Sequence, residues 1–188
     1  MIIKNLAAMC RKKKRIWLFE DEAHDVQWAG DGGAIYPLFG IPHLNEEQIL
    51  ILFDVPEDKR KGFAVHTENI MPDGLDTEDS AADQEARPYP ISLGTSWGVY
   101  YPVQTSTGIA FYDAEYFKPI ADKPRAKLYE RYTRSGRLYF VAKDGMLVEA
   151  VIMPAALKEE ELAATLGTIF TELEQKIGGP DGGVGAEA

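Results

Sequence analysis

The sequence predicts an α+β fold: mainly antiparallel sheet, short helices on one face, and a further helix towards the C-terminus. Three observations predict it. Short runs rich in β-branched and aromatic residues recur along the chain, at 15–20, 98–103 and 137–143. Turn signals separate them, above all Gly30-Asp31-Gly32-Gly33 and Asp144-Gly145, because glycine supplies the positive φ of tight hairpins. Helical spacing is confined to a few segments, at the N-terminus and after Pro154.

Element by element, Ile3, Leu6, Ala7 and Cys10 fall on one face of a helix over residues 2–13, with Lys4, Ala8, Arg11, Lys12 and Arg15 on the other. Strands follow over 15–20, 25–29 and 34–39, where Pro37 predicts an edge strand or an early end. Asn45 is a good N-cap for a helix reaching Phe53. A buried strand through the run Ile49 to Phe53 competes with it, and periodicity does not separate the two. Residues 63–68 read as a strand and 71–88 as an exposed acidic loop. Strands are then expected over 90–93, 98–103 and 107–112. A helix capped by Asp113 and interrupted by Pro119 leads to three more strands over 126–133, 137–143 and 146–153.

The C-terminal helix is expected over 155–177. Leu162, Leu166, Ile169 and Leu173 form a single apolar seam there, suited to the protein's own sheet or to a partner helix and self-association. A glycine-rich disordered tail is expected over 178–188. These elements compose a single domain over 1–177 of the 188 residues, with half-units of about 1–69 and 89–154 and the acidic loop 70–88 between them.

Composition narrows the function classes. A single cysteine, Cys10, excludes an internal disulfide framework and a cysteine-based zinc cluster. No apolar run approaches the roughly 20 residues that cross a bilayer, so no membrane association is expected. The charges at the start follow the apolar residues, the reverse of a secretory signal, so a cytoplasmic location is expected.

Net charge is −10 and unevenly spread. Lys4 and residues 11–15 make a basic island without acids, and 118–137 make a second. Acids dominate 67–87. Such islands read either as solvated faces or as a local phosphate-binding face on a protein whose overall charge repels nucleic acid at long range.

The two halves share an order of elements, a helix followed by a three-stranded meander, with little residue identity; duplication and chance recurrence both account for it. The second unit carries the stretch Gly108-Ile-Ala-Phe-Tyr-Asp-Ala-Glu-Tyr-Phe-Lys-Pro-Ile-Ala-Asp122. A meander ending Val151-Ile-Met-Pro154 follows it. Residues 108–154, a quarter of the chain, resemble the closing half-domain of a bacterial DNA polymerase sliding clamp. The resemblance is carried by the pair Tyr116-Phe117 and the dipeptide Met153-Pro154.

The resemblance implies two clamp-like half-units with two helices on one face of a curved sheet, turned to the DNA backbone without reading bases. Lys4, Arg11, Lys12 and Arg15 then become phosphate contacts, joined by Lys118 on the second helix. This chain departs from the family in having room for one domain where a clamp chain has three. Its second helix also mixes Glu115 and Asp122 with Lys118, and the acidic loop and terminal helix have no clamp counterpart.

Catalytic chemistry is not legible. His24 lies among Glu20, Asp21, Glu22 and Asp25 without metal-ligand spacing, and His43 and His66 are far from it in sequence. No nucleophile motif surrounds a serine or Cys10. Aromatics near Arg131, Arg134 and Arg137 suit either base stacking or ordinary strands. The expectation is a non-catalytic accessory protein associated with DNA, without metal or cofactor. The alternative is a protein–protein interaction module that binds no nucleic acid.

Overall fold

A computed structural model describes residues 1–72, 74–80 and 83–157. The chain divides into two compact units, Met1–Ala155 and Ala156–Ala188. The helix expected over 155–177, its seam Leu162, Leu166, Ile169 and Leu173, and the tail 178–188 lie almost wholly outside the described residues.

The first unit begins with α1 (Ile3–Lys13), β1 (Arg15–Asp21), β2 (Val26–Gly30), β3 (Ala34–Pro37), α2 (Glu46–Leu52), α3 (Glu57–Arg60) and β4 (Ala64–Glu68). It continues through β5 (Gln84–Glu85), β6 (Arg87–Pro88), β7 (Leu93–Gly94), β8 (Val99–Thr105) and β9 (Gly108–Asp113). A 3-10 helix (Ala114–Ile120) then leads to β10 (Lys127–Tyr132), β11 (Leu138–Asp144) and β12 (Leu147–Ile152). The fold is α+β, with a large, mostly antiparallel sheet and a few short helices.

Local chemistry explains the helices. α1 buries Leu6, Ala7, Met9 and Cys10. Its last turn carries Arg11, Lys12 and Lys13, where cations offset the helix dipole, and Lys14 closes it at a left-handed φ of 51°. α2 is a helix and not a strand because Asn45 and Gln48 form a complete capping box at its N-terminus. The helix expected after Asp113 is a tighter 3-10 turn. Asp113 caps the Glu115 amide, but Pro119 lacks the N–H that an α-helical ladder needs.

The large sheet has the order β4-β1-β2-β3-β12-β11-β10-β5, and only the β4–β1 pair is parallel. Its centre joins two antiparallel meanders, β1-β2-β3 and β10-β11-β12, each preceded by a helix. The join is the β3–β12 pair, with just two rungs, Val151 opposite Ile35 and Ile152 opposite Ala34. Pro37 therefore ends β3 early but does not mark an edge. A smaller sheet of β6, β7, β8 and β9 adds Val103 and Tyr112 to the main core.

Strand alternation fills both faces of the large sheet. Ile16, Leu18, Phe140 and Ile152 pack with Leu6 and Met9 of α1 and Tyr116 and Ile120 of the 3-10 helix. Phe19, Trp28, Ile35, Tyr139, Val141 and Val151 form a second cluster on the other face.

Part of the acidic segment expected to be an exposed loop packs on that second face. Met71 and Leu75 pack on it, and the Asp76 amide donates to the Tyr139 hydroxyl at 3.0 Å. Asp83 is buried between Arg131 and Lys143, both at 2.7 Å, and Lys143 also holds Asp79 at 2.6 Å. Asp79 and Asp83, two of the acids that made this stretch look solvated, are neutralised by two buried cations on β10 and β11.

Candidate nucleic-acid interface

The face that could meet a nucleic acid is built where α1 lies along the 3-10 helix. Three contacts fix this seam. The Ile2 amide donates to the Pro119 carbonyl at 2.6 Å, the Asn5 side-chain amide to the Lys118 carbonyl at 2.7 Å, and the terminal ammonium pairs with Asp122 at 2.9 Å. The Lys118 carbonyl also accepts the Ala121 amide at 3.3 Å, so it takes one bond from its own turn and one from α1.

At the other end of α1, Lys13 reaches between the two helices. Its ammonium pairs with the buried Asp31 carboxylate at 2.9 Å and donates to the Tyr116 hydroxyl at 2.8 Å. Asp31 also accepts from the Gly33 and Ala34 amides, so the Gly30–Gly33 turn is built around its side chain. Tyr36 donates to the Tyr116 carbonyl at 2.6 Å. Burial alone would lower the Lys13 ammonium, but its bonds to Tyr116 and Asp31 outweigh this and push it up. Burial first, and then the Asp31 charge, push the Tyr36 hydroxyl and the Cys10 thiol well up. Cys10 is therefore an inert buried thiol.

The predicted contact residues fall into three groups. Lys4 and Arg15 are exposed and make no ion pair with a described residue. Lys12 and Lys118 come together around one acid: Glu115 lies 2.6 Å from the Lys118 ammonium and 3.9 Å from that of Lys12. The hydrogen bond from Lys118 holds the Glu115 carboxyl below its ordinary range. Arg11, in contrast, turns inward: its guanidinium donates to the Phe53 carbonyl at 2.6 Å, at the C-terminal end of α2. It is a tie between two helices. Lys14, which sequence reasoning did not single out, is exposed beside Arg15.

The arrangement can hold anions, with two ammonium groups gathered on one carboxylate. Among the described residues no group of three or more His, Cys, Asp or Glu side chains is placed to hold a metal ion. His24 pairs with Asp21 at 2.9 Å, His43 with Glu20 at 2.8 Å, and His66 stacks on Trp17 at 4.2 Å.

The aromatic and arginine residues of β10 and β11 are occupied structurally. Lys143 sits over the Tyr129 ring at 4.4 Å, and Arg131 is held in the buried ion cluster; Arg134 and Arg137 remain exposed at the hairpin tip. Sequence reasoning missed Asp83 and Lys143. The signal available was a pair of strand-centre cations with a run of acids elsewhere to neutralise them.

Among the described residues no helix is long and apolar enough to cross a membrane. No family model, curated protein or solved structure matches the chain.

Proposed function

We propose that the protein is a non-catalytic accessory factor that holds the DNA backbone on the face formed by α1 and the 3-10 helix. The observation that carries this reading is the convergence of Lys12 and Lys118 on the single carboxylate Glu115. Two ammonium groups from two helices sharing one anion form a pocket in which a backbone phosphate can replace that carboxylate. Exposed Lys4, Lys14 and Arg15 extend the basic surface along α1. Contacts of this kind are electrostatic and indifferent to base sequence. The pairing of each helix with its own meander supports a clamp-like half-unit plan, in which such a helix pair faces DNA.

A fluorescence anisotropy titration at low salt tests the reading. Binding to double-stranded DNA of unrelated sequences should be equal within about twofold and should weaken steeply with salt. It should be lost in Lys4→Glu with Lys12→Glu. Absence of binding, or binding that survives this double substitution, rejects the function.

A further inference from the structure

A second feature, independent of the basic face, lies where the two meanders part. β3 and β12 share only the rungs at residues 34–35 and 151–152, although β3 runs on to Pro37 beside β2. No rung joins β3 to residues 147–150 of β12. The gap below the seam is a cleft of about 540 Å³.

Val26, Trp28 and Val148 line it from β2 and β12. On one lip Phe39 is 51% exposed; on the other, Met146 and Leu147 are 75% and 58% exposed. The Asp144-Gly145 turn, with Gly145 at φ 65°, would ordinarily be followed by polar residues at a solvated hairpin tip. Here two large apolar side chains occupy that tip and face a third across the gap. Exposed apolar groups gathered at one concavity mark a binding surface, and methionine adapts to varied partners.

Charge selects the occupant. The rim holds Asp21, Glu78 and Asp79, with His24 the sole basic side chain and no lysine or arginine among the lining residues. Asp21 is engaged by His24 and Thr77, and Asp79 by Lys143. Glu78 is the most accessible of the three: its side chain is 72% exposed and its pairing with His24 spans 3.9 Å.

We propose that this cleft docks a segment of a partner protein that carries apolar side chains flanked by lysine or arginine.

The test is anisotropy of a fluorescein-labelled peptide of alternating leucine and lysine added to the full chain, with a leucine–glutamate peptide as counterpart. The leucine–lysine peptide should bind saturably. Met146→Ser with Leu147→Ser leaves the net charge unchanged and should weaken binding about tenfold or more, because two apolar contacts are lost. Glu78→Gln keeps the lips intact and should weaken it severalfold. Equal affinity in the double serine variant, or equal affinity for the leucine–glutamate peptide, overturns the proposal. So does concentration-dependent dimerisation that Leu147→Ser abolishes, because the occupant is then a second copy of this chain. Lys12→Glu, on the basic face, should leave peptide binding unchanged, which separates this outcome from that of the DNA experiment.

Discussion

Lys13 and Asp31 form an ion pair of 2.9 Å in which the carboxylate is fully buried and the ammonium half exposed. Asp31 organises its own turn through the Gly33 and Ala34 amides, and Tyr116 from the 3-10 helix closes over the same spot. One acid thus links α1, the β2–β3 hairpin and the second helix. Asp31→Ala should destabilise the protein by about 2–3 kcal/mol in urea unfolding, because it orphans the buried Ala34 amide, frees that of Gly33 and removes the partner of a half-exposed cation. Asp31→Asn keeps the turn bonds and should cost less.

The same spot explains why Gly33 is glycine. Its φ is unexceptional, but a Cβ there would overlap the Tyr116 hydroxyl and lie 2.7 Å from the ring carbon that bears it. Gly33→Ala should therefore cost about 1–3 kcal/mol through overpacking. Tyr116→Phe should recover part of that loss when combined with Gly33→Ala, while costing stability alone. Strictly additive effects of the two changes, read by thermal unfolding, would refute the steric account.

Much of this architecture is legible in the sequence because local signals and tertiary context agree. The apolar stripe from Ile3 to Cys10, the Gly30–Gly33 turn and Asp144-Gly145 specify α1 and the hairpins to within a residue or two. What could not be read depends on partners distant in sequence. Arg11 looks like one more cation of an exposed stripe until Phe53, 42 residues on, supplies its acceptor. Residues 71–83 look solvated because their neutralising cations, Arg131 and Lys143, lie on strands some 50 to 60 residues later. The shared site at Glu115 is half legible: the i, i+3 pair with Lys118 is local, and the approach of Lys12 is not.

Arg11 and Lys12 should separate cleanly in mutants although they are adjacent. Arg11→Gln removes a charge-assisted bond to the end of α2 and should cost about 1–2 kcal/mol of stability, with little change in the salt dependence of DNA binding. Lys12→Gln should leave stability within about 0.5 kcal/mol and lower the salt slope by about one. Glu115→Gln, which releases both lysines, should strengthen DNA binding about two- to fivefold. Weaker binding in Glu115→Gln would mean that the acid positions the lysines and does not compete with phosphate.

The strap over the second face should be released by acid. Burial would raise the Asp83 carboxyl, but hydrogen bonds from Arg131 and Lys143 outweigh this and hold it below its ordinary value of about 3.9. A carboxyl lowered by folding stabilises the native state fully above the unfolded value, and that contribution is lost as pH falls through the folded value. Stability should therefore drop steeply below about pH 4. Asp83→Asn should be less stable than the parent by about 2–4 kcal/mol at neutral pH, because Arg131 and Lys143 stay buried with less compensation. The two proteins should converge as the medium is acidified. Urea unfolding followed through Trp17 and Trp28, which belong to the face the strap covers, measures both limits. A constant difference between the two proteins down to pH 2 would show that the buried triad does not hold the strap through the Asp83 charge.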